Sequence, residues 1–151
     1  MKQLQLFLIN LNLKTFTEQN AKDYCLLNNI NQEDLIELDL SDNQLTDISG
    51  IKIFKNLKYL WLSNNKIKNI TVLKDLKKLE SLNIENNQTT DISILKDVNI
   101  KKLLISNFEL ESDQIQDIKS LKNFKTLFGY KGFKDMSVLN ELNKSIQIQM
   151  I

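Results

Sequence analysis

The sequence predicts an α/β solenoid. Short parallel strands form its concave sheet, short 3₁₀ or helical segments return along the convex side, and a helical cap closes the N-terminus. Three observations predict it. The pattern L-x-x-L-x-L-x-x-N-x-L recurs in register at 22-residue spacing. Three apolar residues, each three positions after the last, follow every copy. The 151 residues, 42% hydrophobic and 26% charged, have the composition of one soluble globular domain.

The three regular copies carry the argument. Leu35, Leu38, Leu40, Asn43 and Leu45 form the first; Leu57, Leu60, Leu62, Asn65 and Ile67 the second; Leu79, Leu82, Ile84, Asn87 and Thr89 the third, with Thr89 its weak position. The L-x-L pair suits a strand whose alternate side chains point inward. The Asn side chain can bond the backbone where the chain leaves the strand, so stacked copies build a ladder. Ile48, Ile51 and Phe54, then Ile70, Leu73 and Leu76, then Ile92, Leu95 and Val98 have the threefold spacing of a 3₁₀ or short helical return. No single copy buries its own apolar face; stacked copies share one core.

These motifs resemble the leucine-rich-repeat family in its short form. Asn65-Lys-Ile67-Lys-Asn-Ile70 is similar to the wording of bacterial internalin-type repeats. The resemblance covers residues 35–98 and implies a rigid curved scaffold that binds another protein.

Outside that block the register loosens. Ile100, Leu103, Ile105 and Leu110 make a fourth copy with Phe108 in place of Asn, and the added Glu111–Gln114 predicts a helix over 113–122 capped by Ser112 or Asp113. Phe124, Leu127 and Gly129 begin a fifth, returning through Met136, Leu139 and Leu142. The last strand has two possible registers, one with Ser145, Ile148 and Met150 inward, the other with Ile146 and Ile148 inward. Residues 1–34 show no repeat and are expected to cap the stack. Thr17 is a good N-cap for a helix through Leu27 whose apolar side, with Ala21, Tyr24 and Cys25, covers the first strand. Leu4, Leu6 and Leu8 alternate like a strand in the same cap. One domain is thus expected: a cap at 1–34, regular repeats at 35–98, irregular repeats at 99–151.

Composition removes several function classes. There is no His, so the commonest acid–base and metal-ligand chemistry is missing. The lone Cys25 forms no internal disulfide and is expected to pack in the cap as a small hydrophobe. All 20 basic residues are Lys, and the net charge is +1. Without arginine forks or a positive field, nucleic acid is not an expected partner. The three glycines, Gly50, Gly129 and Gly132, make no phosphate loop. Glu37 with Asp39 is the nearest thing to an acid–base pair, and two carboxylates on one strand read more simply as surface. No metal or cofactor is expected. Polar residues break the apolar stretch near Phe7–Ile9, so no signal peptide is expected, and no run nears the ~18 apolar residues of a membrane span. The expectation is a cytoplasmic, non-enzymatic protein.

The partner face is expected on the concave strands, where residues point away from the core. One column is Asp39, Trp61, Asn83, Leu104 and Phe128. A second is Glu37, Tyr59, Ser81, Lys102 and Thr126. A third is Ser41, Ser63, Glu85, Ser106 and Tyr130. Core packing does not need aromatics at Tyr59, Trp61 or Phe128, and aromatics are enriched in interface hot spots. The plain alternative for Trp61 is a cross-strand pair with a neighbour. Acidic residues gather toward the N-terminal end of this face, and Lys101, Lys102, Lys125 and Lys131 toward the other. The function read here is protein–protein interaction through the concave face, with an inhibitor or immunity-type protein that occludes one target enzyme or toxin as the narrower version. The chain is expected to be a monomer or a weak dimer through its C-terminal edge strand.

Overall fold

The computed structural model describes residues 3–106, 112–121, 123–130 and 147–150. Its strands are β1 (Leu4–Phe7), β2 (Leu35–Asp39), β3 (Tyr59–Trp61), β4 (Ser81–Asn83), β5 (Lys102–Ser106), β6 (Thr126–Tyr130) and β7 (Gln147–Met150). They make one sheet in chain order, and every neighbouring pair is parallel. Leu6, Leu38, Leu60, Leu82, Leu103, Leu127 and Ile148 align across it. Leu38 through Leu127 in that row are fully buried. The pairing of Ile148 with Leu127 and Met150 with Gly129 selects the first of the two registers open to the last strand.

The returns of the regular copies are 3₁₀ helices at Ser49–Ile53, Thr71–Asp75 and Ser93–Asp97. Each is started by a carboxylate or amide two residues ahead of a backbone donor. Asp47 accepts from Ser49 N–H at 2.7 Å, Asn69 from Thr71 N–H at 2.8 Å, and Asp91 from Ser93 N–H at 2.8 Å. The Ser93 bonds also lower the pKa of Asp91. The threefold apolar residues of all three returns are buried against the strands' inner face. Thr89 also sits in the core; its hydroxyl donates to the Ile67 carbonyl at 3.1 Å, so its polar atom is satisfied where an aliphatic residue stands in the other copies.

The Asn ladder forms as the spacing implies. Asn65 donates through Nδ2 to the carbonyls of Leu62 and Ser63 in its own copy and of Leu40 in the copy before. Its Oδ1 accepts from Leu45 N–H, also in the copy before, at 2.9 Å. Asn87 repeats this with Leu62 and Ile67 one copy back. Asn43 reaches back to the Leu8 carbonyl and accepts from both Leu11 and Leu13 N–H at 3.0 Å. A second column stands beside the first: Asn64 donates to Asp42, and Asn86 to Asn64, each at 2.7 Å. Asp42, Asn64 and Asn86 have φ values of 56°, 57° and 52°. In that left-handed region Asp and Asn are the tolerated residues with a side chain.

The N-terminal segment corrects the sequence reading in one respect. It is a repeat, not a stretch outside them: Leu6 and Phe7 pair with Leu38 and Asp39, and Thr15 bridges Asp47. The offset is 32 residues because a helix replaces the 3₁₀ return, and Leu11 stands where Asn would, so neither spacing nor ladder betrayed it. That helix, α1 (Glu18–Leu27), has the expected limits, and Thr17 and Asn20 make a reciprocal capping box. It lies on the convex side against the 3₁₀ turn Ser49–Ile53, with Ala21 and Cys25 buried and Leu26 and Leu27 exposed. Two contacts seat it there. Glu18 bridges Lys22 at 2.7 Å and Lys52 at 2.6 Å, which lowers its pKa to about 2. Gly50 lets the turn approach the helix start: its N–H donates to the Phe16 carbonyl at 2.7 Å, and a Cβ there would stand 2.4 Å from the Thr17 carbonyl oxygen.

The second helix, α2 (Ser112–Lys119), begins one residue before the predicted 113–122 and ends earlier. Ser112 and Asp113, expected as its cap, fall within the helix. Phe108 and the return through Met136, Leu139 and Leu142 lie outside the described residues.

Candidate concave interface

Register carries two of the three expected columns onto one face, and of the third it aligns Ser106 with Tyr130 while Ser41 is buried. Asp39, Trp61, Asn83, Leu104 and Phe128 align strand to strand, as do Glu37, Tyr59, Ser81, Lys102 and Thr126. β1 adds Phe7 ahead of Asp39 and Gln5 ahead of Glu37. Sequence reasoning missed both, although alternation of Leu4, Leu6 and Leu8 places the residues between them on the opposite face. Phe7, 54% exposed, is the most accessible aromatic side chain described on this face.

Trp61 is half-buried. Its indole Nε1 donates to Glu37 Oε1 at 2.8 Å, so the ring leans across β2. The other oxygen of the Glu37 carboxylate accepts from Gln5 Nε2. Gln5, Glu37 and Trp61 therefore form one chain of hydrogen bonds over three strands. The cross-strand contact for Trp61 is made with the neighbouring strand, through Glu37. Tyr59, Asp39, Asn83, Glu85, Lys102 and Leu104 are likewise half-exposed.

Short polar contacts fix several of these groups. Asp39 accepts from Ser41 N–H at 2.9 Å, and Asn83 accepts from Glu85 N–H at 2.9 Å. Asn83 Nδ2 also donates to the Glu85 carboxylate at 3.1 Å. Ser63 bonds Ser41 through their hydroxyls. Ser81 is 8% exposed and offers a partner little surface. The backbones of Phe128 and Tyr130 align with Leu104 and Ser106, and their side chains lie outside the description. Glu37, Asp39 and Glu85 are thus brought onto the same face as Tyr59 and Trp61, with Lys102 on the strand beyond.

Chemistry elsewhere is sparse. Burial raises the pKa of the Cys25 thiol, which makes it a poorer nucleophile. Among the described residues, no group of three His, Cys, Asp or Glu side chains is placed to hold a metal ion. No helix among them is long and apolar enough to cross a membrane.

The family model for leucine-rich repeats (two copies) matches residues 33–75 and 55–97, the three regular copies described above. Residues 33–97 are leucine-rich repeats. No curated protein matches the sequence. Among solved structures, the chain is similar to internalin C2 of Listeria monocytogenes, with a TM-score of 0.62 and 22% identity over 96% of this chain and 72% of that one. An internalin, inlF, of the same organism follows at 0.58 and 21%, covering 78% of this chain and 42% of that one. A leucine-rich-repeat protein of Leptospira interrogans gives 0.53 and 18%, covering 95% and 49%. This chain spans less than half the length of the last two. At such identities the likeness is one of fold. Leucine-rich repeats typically serve as binding modules, and solenoids of this kind use their concave surfaces to bind.

Proposed function

We propose that the chain binds another protein through the concave face of β1–β5. The observation that carries the reading is Trp61, a large aromatic on the solvent side of the sheet. It is fixed by Glu37, which is fixed in turn by Gln5. An aromatic held in place before the encounter loses little conformational entropy on binding, and Trp and Tyr are the commonest interface anchors. Tyr59 stands two residues away on the same strand and the same face. Glu37, Asp39 and Glu85 supply acidic neighbours that orient an incoming partner.

The test is affinity capture from native lysate with the wild type and a Trp61→Ala/Tyr59→Ala double variant matched for thermal stability. A protein captured by the wild type and lost with the double variant supports the reading. A protein held equally by both refutes the concave face as the binding surface.

A further inference from the structure

We infer that the partner of the concave face is cationic, and that it presents an arginine or lysine side chain to Trp61 between the carboxylates of β2 and β4. The inference rests on the concave-face reading and names the chemistry of what docks there. Three features carry it.

The first is the sign of the charge. Across β1–β4 the two aligned columns hold Glu37 and Asp39 and no Lys. Glu85, bonded to Asn83, brings a third carboxylate to the same face. The first cation in either column is Lys102, on β5. The whole chain is net +1, with 20 Lys against 19 Asp and Glu. An acidic face on a chain of opposite net charge reflects local placement, not composition, and it attracts positive partners.

The second is that no lysine of the chain neutralises these groups. Glu37 accepts from Trp61 Nε1 and Gln5 Nε2, Asp39 from Ser41 N–H, and Glu85 from Asn83 Nδ2. Every one of those donors is neutral. The ion pairs among the described residues join Glu18 to Lys22 and Lys52, and Glu80 to Lys101, all outside the two columns. Lys58, just ahead of β3, pairs with none of the three carboxylates. Neutral donors fix the carboxylates in place without cancelling their charge. A docking cation therefore meets an ordered site with its charge intact.

The third is the ring between them. In register, Trp61 stands between Asp39 on β2 and Asn83 on β4, and Tyr59 between Glu37 and Ser81. Adjacent strands lie about 4.8 Å apart. A cation within about 6 Å of the centre of the indole, over its face, is attracted by the ring's quadrupole. A cation so placed is one strand away from Asp39. An arginine guanidinium suits both neighbours, because its plane stacks on the indole while its edge N–H groups donate to carboxylate oxygens. An anionic or purely apolar partner would instead leave three negative charges covered and unpaired, which is unfavourable.

Isothermal titration calorimetry at low salt tests this with two peptides of equal length, one of arginine–serine and one of glutamate–serine repeats. The emission of Trp61, the only Trp in the chain, reports whether the contact is made at this site. The arginine peptide is expected to bind and to shift that emission, and the glutamate peptide to do neither. Glu37→Gln/Asp39→Asn/Glu85→Gln removes the charges and keeps side-chain oxygens that accept the same bonds. It is expected to raise the Kd of the arginine peptide more than about tenfold. Asp23→Asn/Asp75→Asn/Asp97→Asn makes the same change in net charge on α1 and the 3₁₀ returns. It is expected to change that Kd less than about twofold. An arginine peptide that binds no better than the glutamate peptide, or that both variants weaken equally, overturns the inference. Binding that leaves the Trp61 emission unchanged overturns it as well. Affinity capture separates this failure from failure of the concave face itself. A protein lost with Trp61→Ala/Tyr59→Ala but retained by the neutral triple variant removes the cationic partner and leaves the concave face standing. A protein held equally by the wild type and both variants removes both.

Discussion

Replacing Asn65 with Ala isolates what the ladder contributes. Asn65 is 7% exposed and makes four backbone contacts. The three carbonyls that accept from its Nδ2 each keep another donor. Leu40 O retains Asn43 Nδ2, Leu62 O retains Asn87 Nδ2, and Ser63 O retains Asp42 N–H. The Leu45 N–H has no such reserve, and Leu45 is fully buried. An orphaned buried donor costs about 1–3 kcal/mol, and the lost carbonyl contacts add on the order of 1 kcal/mol. The expected loss is about 2–4 kcal/mol, read by urea denaturation with an unchanged slope. For a chain of this size that is a fall in Tm of roughly 4–16 °C. Amide exchange gives the sharper assay. Leu45 should lose protection, while Ile67, whose N–H is bonded to Asn87, should keep its local partner. A loss below about 1 kcal/mol, or an undiminished Leu45 amide, would refute the view that this side chain satisfies that donor.

Other substitutions probe the N-terminal unit. Gly50→Ala forces a methyl against the Thr17 carbonyl and should cost about 1–3 kcal/mol, with loss of helical signal on mild heating that precedes loss of the sheet. The Glu18 bridges depress its pKa from 4.5 to about 2. Their contribution is therefore fully present above about pH 4.5 and is lost as pH falls toward 2. Glu18→Gln should flatten that part of the pH dependence of stability, and an unaltered profile would show that the bridges do not tether α1. Cys25, buried with a raised pKa, should react with a disulfide reagent only at the rate at which the N-terminal unit opens. Immediate reaction in native buffer would contradict its burial.

The regular copies were legible because their signal repeats. A Leu at one position says little, and the same position filled in three successive registers identifies an inward row. The outer column was legible in principle from Asp42-Asn43, Asn64-Asn65 and Asn86-Asn87. Reading it required knowing that the first of each pair is left-handed, which spacing alone does not show. The first repeat was hidden by the substitution of a ten-residue helix for a five-residue turn and of Leu11 for the ladder Asn. On the concave face, alternation predicts which side chains point out, and register then aligns them. It cannot foresee that Trp61 leans toward Glu37, because that depends on a bond between residues 24 apart. Nor does it foresee Gly50, whose importance comes from a backbone that arrives from 33 residues earlier.

Each ladder Asn reaches only to its own copy and to the one before it. The contact Asn65 makes with Leu40 and Leu45 is the contact Asn87 makes with Leu62 and Ile67, displaced by 22 residues. The joints between regular copies are therefore interchangeable. A gene that loses or duplicates a 22-residue unit in this block leaves equivalent joints on either side of the change. Such a chain alters the number of strands on its concave face, and so the reach of that face, without inventing a new contact. Variation in length by whole units is the kind of change this architecture absorbs most readily, and a single-residue insertion at the ladder is the kind it absorbs least.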